Sequence, residues 1–73
     1  MDIKVGQVLE FLGPVKVEGR TIERGTRVRV GHILSGVTEP KLTLVLLGKE
    51  KVETIVVDHH VAGLHCRLVQ EST

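Results

Sequence analysis

Residues 41–57 read KLTLVLLGKEKVETIVV, and this stretch restricts the fold more than any other in the chain. Its leucines, valines and isoleucine fall in two short runs on either side of a charged turn, the composition of paired strands. Glycine followed by three charged residues at 48–51 supplies a four-residue turn, so the stretch reads as a hairpin with Leu47 opposite Val52. In that register Leu42, Leu44 and Leu46 share one face with Ile55 and Val57. The other face carries Val45, Leu47, Val52 and Val56, together with Thr43 and Thr54. Both faces are therefore largely apolar. With no helix to cover it, the second face of such a hairpin should be wet. Val45, Leu47, Val52 and Val56 are accordingly the candidate interface, either with a second copy of the chain or with another protein.

The remaining segments also favour strands. Alanine occurs once, at Ala62, and no window of a dozen residues shows the 3.6-residue apolar period of a helix. A first strand is expected over 7–12, ended by Gly13-Pro14, because proline brings no N–H to a central ladder. Val15-Lys16-Val17 and Arg20-Thr21-Ile22 flank a tight turn at Glu18-Gly19, and Gly25 makes the next turn. Arg27-Val28-Arg29-Val30 alternates strictly, with one face buried and one wet. Gly31 breaks the alternation before His32-Ile33-Leu34, which calls for a bulge. Residues 35–40 form a loop. The expected core is Val28, Val30, Leu42, Leu44, Leu46, Ile55, Val57, Val61 and Leu64.

A chain of 73 residues is one domain, spanning 1–73, near the lower size limit for folding alone. One cysteine provides no internal disulfide, which suits a reducing, cytoplasmic setting. There is no basic start followed by an apolar run, so no signal peptide is expected. The apolar runs fall far short of the ~18 residues that cross a bilayer, so no membrane partner is expected. Net charge is +1, unlike the strongly basic balance of many nucleic-acid-binding domains. Phe11 is the sole aromatic residue. Base-stacking platforms and aromatic-lined grooves for proline motifs both need more.

In order, the elements are a strand, an excursion with a turn, a strand, a loop, a regular hairpin, one helical turn and a short last strand. That order resembles a small SH3-like barrel. IERGTRVRVGHIL corresponds to the end of the first long loop running into the second strand, and TIVVDHHVAGLHCRLV to the fourth strand, a single 3₁₀ turn and the fifth strand. The resemblance implies an all-β, five-stranded barrel. It does not carry over the proline-motif binding of the eukaryotic peptide-binding members, whose aromatic residues in that first loop and after the fourth strand are absent. The rival architecture is a five-stranded oligonucleotide-binding barrel, which calls for longer strands and usually a helix.

Residues 57–66, VDHHVAGLHC, hold three of the four histidines and the only cysteine. As a barrel-closing turn, Asp58 caps the free N–H groups that follow. Val61 and Leu64, three apart in a 3₁₀ turn, then plug the barrel end. Strand alternation turns Leu64, Cys66 and Leu68 inward and His65, Arg67 and Val69 outward, leaving His59 and His60 on the exposed side. As a metal centre, His59, His60, His65 and Cys66 offer ligands of the right type at a spacing that matches no zinc pattern, and His65 and Cys66 project to opposite faces of a strand. The turn is the preferred reading, and no cofactor is expected.

The one local basic excess lies within 16–29: Lys16, Arg20, Arg24, Arg27 and Arg29, against Glu18 and Glu23. It could neutralise phosphates or simply keep a strand edge soluble. GKEK at 48–51 lacks the spacing of a phosphate loop, and Ser35 sits in no strand-turn-helix elbow. So small a barrel can hardly enclose a substrate pocket. The expected function is a non-enzymatic interaction or assembly module that forms a homodimer or binds a protein partner. Nucleic-acid binding through 16–29 is the alternative, metal binding the third reading, and no small-molecule substrate is evident.

Overall fold

A computed structural model describes residues 2–36 and 38–69. Seven strands and one short helix follow in the order β1 (Val8–Phe11), β2 (Val15–Val17), β3 (Arg20–Ile22), β4 (Arg27–Leu34), β5 (Lys41–Leu46), β6 (Thr54–Asp58), α1 (His59–His65) and β7 (Cys66–Val69). Five strands form one antiparallel sheet in the order β6-β5-β4-β1-β7, and β2 and β3 pair as a separate ribbon. The expected five-stranded layout is thus present as a sheet whose outermost strands are β6 and β7. It is not closed into a barrel. Among the described residues no helix is long and apolar enough to cross a membrane.

The ribbon turns where the sequence places the turn. Glu18 and Gly19 both adopt positive φ, 51° and 78°. Two consecutive left-handed residues twist in the sense that antiparallel strands require. The β5–β6 hairpin keeps the expected register: Leu42 faces Val57, Leu44 faces Ile55 and Val45 faces Thr54. Its ladder stops at the bond from Leu46 N–H to the Glu53 carbonyl (2.9 Å). Leu47 donates instead to the Arg27 carbonyl of β4 (2.9 Å), so the expected Leu47–Val52 step is missing. The bulge at Gly31 is real, since the β4–β5 register shifts between Val30 and His32.

The core lies between one face of the sheet, the ribbon and the helix. Leu9, Phe11, Val28, Val30, Leu42, Leu44 and Ile55 are fully buried. Val17 and Ile22 from the ribbon, Ala62 from α1 and Cys66 from β7 complete the same cluster. Seven of the nine expected core residues are buried; Val61 is only half-buried and Leu64 is 71% exposed. The cause is the turn type. Residues 59–65 form an α-helix rather than a 3₁₀ turn, with the Cys66 N–H bonded to the Ala62 carbonyl four residues back. Residues two apart in an α-helix point about 200° apart. Burying Ala62 therefore sends Leu64 outward. Leu68, also expected inside, is 38% exposed on the edge strand β7. Asp58 has extended backbone at the helix start but makes no side-chain cap, because its carboxylate is engaged by Lys41.

Candidate functional site

The strand register fixes what the outer face of the sheet carries. One row across it runs Val69, Val8, Arg29, Val45 and Thr54. On one side lies the row Arg67, Glu10 and Arg27, which the Leu47–Arg27 backbone bond extends to Leu47. On the other side, past the bulge, lie His32, Thr43 and Val56, then Leu34, Lys41 and Asp58. The face is thus divided. Its β7-β1-β4 half carries Arg67, Glu10, Arg27 and Arg29, and its β4-β5-β6 half carries the aliphatic set Val45, Leu47, Val56 and Leu34, bounded at one end by the Lys41–Asp58 pair.

The charged half is satisfied internally. Glu10 receives Arg67 Nε at 2.7 Å and Arg27 Nε at 3.4 Å, so one carboxylate ties β7 and β4 across β1. The hydrogen bond from Arg67, seconded by Arg27, holds the Glu10 carboxyl below its ordinary range. Arg29 Nη1 donates to the Gly6 carbonyl at 3.1 Å. Val8 lies in this half yet is buried, because the chain before β1 folds against its row through that bond and the bond from Gly6 N–H to the Val30 carbonyl.

The aliphatic half contains three of the four candidate interface residues. Val45 and Leu47 are half-buried and Val56 is 42% exposed. Val45 lies over the bulge: a Cβ at Gly31 would approach its Cγ2 to 3.4 Å. Val52 is 85% exposed in the hairpin tip, beyond the end of β6. Sequence reasoning missed Leu34, which is 49% exposed on the same face, opposite Lys41. The signal was present. The extra residue at Gly31 shifts the phase, so that Ile33 turns in and Leu34 turns out.

The basic set of residues 16–29 does not form a single stripe. Arg27 and Arg29 lie on the sheet face, Lys16 and Arg20 belong to the ribbon, and Arg24 belongs to the turn after it. Arg20 faces Glu53 at 3.9 Å. Nor do His59, His60, His65 and Cys66 gather as ligands. Cys66 is buried, and burial pushes its thiol up to about 11, so it stays protonated and inert at neutral pH. His65 and His60 are exposed and His59 is half-buried. Among the described residues, the one set of histidine, cysteine and acidic side chains near enough to share an ion is Glu39, Asp58 and His60.

A concavity of about 460 Å³ is an open groove between residues 4–8 and the end of β7, with Lys4 and Gln7 as its polar side chains. It brings no acid and base together. Compared with family models, with curated proteins and with solved structures, the chain matches none.

Proposed function

We propose that this chain is a non-enzymatic assembly module of the SH3-like type that pairs with a second copy of itself through the aliphatic half of its sheet. The element order supports the architecture: a strand, a ribbon-bearing excursion, a strand, a hairpin, a helical turn and a last strand. The observation that carries the function is the contrast on one continuous face. Glu10 answers Arg27 and Arg67 within the chain, whereas Val56 and Leu34 are exposed and Val45 and Leu47 only half-buried beside them. Burial of such a patch gains ~25 cal/mol per Å² of apolar area before association costs. A two-fold pairing lets the same patch serve both partners. Dispersal of the five basic residues, with Arg20 and Arg27 facing carboxylates, favours a protein partner over a phosphate backbone.

Sedimentation equilibrium at tens of micromolar tests the reading. A dimer whose population is little changed by added salt is the expected result. A clean 8.0 kDa species would overturn self-association. Association that fell steeply with salt would overturn the apolar interface.

A further inference from the structure

The geometry points to a binding site for a divalent first-row transition cation, zinc above all, formed by Glu39, Asp58 and His60. The three come from different parts of the chain: the loop before β5, the last residue of β6 and the first turn of α1. One ligand atom from each lies within 4.8 Å of the others.

The backbone explains why they meet. In the β5–β6 register Lys41 stands opposite Asp58. The His59 N–H then donates to the Pro40 carbonyl at 2.9 Å, which carries the pairing one step beyond the strands. The next facing pair in that register is Glu39 with His60, and the two side chains are in contact through Oε1 and Nδ1. Neighbouring pairs along an antiparallel ladder have side chains close enough to act together. The cluster is therefore set by the register of the most regular hairpin in the molecule, rather than by a chance meeting of surface side chains.

The donor set is informative. One imidazole and two carboxylates suit zinc, cobalt, nickel or manganese, and lack the thiolate or thioether that selects a soft ion such as copper(I). Three protein ligands leave a coordination position for water. Tetrahedral zinc with bonds of ~2.0–2.2 Å brings its ligand atoms roughly 3–3.5 Å apart, so closure needs only small side-chain rotations. Lys41 marks where positive charge is wanted. Its ammonium contacts Asp58 Oδ1, so an arriving cation competes with it for the charge of that carboxylate. Lys41 is thus a built-in competitor, and it should weaken binding without being a ligand.

The test is calorimetric titration of the untagged chain with zinc chloride, then nickel chloride, alongside NMR of the histidine imidazoles. The expected result is one saturable equivalent per chain, with the His60 resonances shifting. His60→Gln and, independently, Glu39→Gln should each weaken binding about tenfold or more, the scale seen when a metal's supporting groups are lost. Lys41→Met should strengthen it. His59→Gln, His65→Gln and Cys66→Ser should leave it unchanged, with circular dichroism confirming that every variant is folded. The proposal is overturned by the absence of saturable binding, by binding that survives both His60→Gln and Glu39→Gln, or by a Lys41→Met variant that binds no better than the parent.

Discussion

The two halves of the outer sheet face solve the same problem differently. Around β1, the Glu10 carboxylate joins Arg67 and Arg27, the Arg29 guanidinium reaches back to the Gly6 carbonyl, and Val8 is covered by its own chain. Around β5, Val45, Val56 and Leu34 meet solvent on a surface equally well ordered by the ladder. A face finished within the chain has little to gain from a partner. A face left aliphatic would gain by association, and this difference is the reason the proposed interface is set on one half of the sheet.

The largest effect should come from the opposite side of the same strand. Leu44 is fully buried between Val30 and Ile55 in the ladder. Leu44→Ala should lower stability by about 2–5 kcal/mol, a large part of what so small a domain has. Chemical denaturation reads this directly, and an unchanged midpoint would mean that the hairpin faces are reversed. Val56→Lys sharpens the comparison. Val56 is half in water, so a monomer should unfold within about 0.5 kcal/mol of the parent. An interface that buries position 56, however, cannot accept an unpaired charge. This variant separates association from folding better than Val45→Lys, because Val45 packs on the Gly31 backbone.

Acid should act on two engaged carboxylates, one in each half of the face. Glu10 and Asp58 both have carboxyls held below their ordinary values, by hydrogen bonds from Arg67 and Lys41 respectively. A depressed carboxyl stabilises the fold above its unfolded value, and that contribution is lost as pH falls through the folded one. Stability should therefore hold at neutral pH and decline once pH drops below about 4.5, with Glu10→Gln flattening the decline. A pH profile of the melting temperature that is the same with and without Glu10→Gln would show that the network contributes nothing. Smallest of all should be Leu64→Ser. With Leu64 exposed, its melting temperature should barely move, whereas a loss of several degrees would restore the 3₁₀ packing in which Leu64 plugs the core.

What was legible in the sequence follows the same physics. Period-two alternation carries its phase across a strand, so the hairpin register and the inward set Leu42, Leu44, Leu46, Ile55 and Val57 could be read directly. Gly19 and Gly31 announced a turn and a bulge. A single helical turn carries no such redundancy. Over residues 59–65 a 3₁₀ and an α-helix differ by only one hydrogen-bond step, yet that step exchanged Leu64 for Ala62 in the core. Long-range charge pairs were hidden for another reason. Glu10 with Arg67, and Glu39 with His60, are 57 and 21 residues apart. Only the completed ladders bring them together.

If the chain pairs as proposed, the aliphatic half of the sheet face should be covered and the charged half left in water. Methyl NMR over a concentration series from micromolar to millimolar answers that residue by residue. The methyls of Val45, Leu47, Val56 and Leu34 should shift together with protein concentration, while those of Val8 and Leu64 stay fixed. Concentration-dependent shifts centred on Val8, or no shift at any methyl across the series, would contradict the proposed pairing.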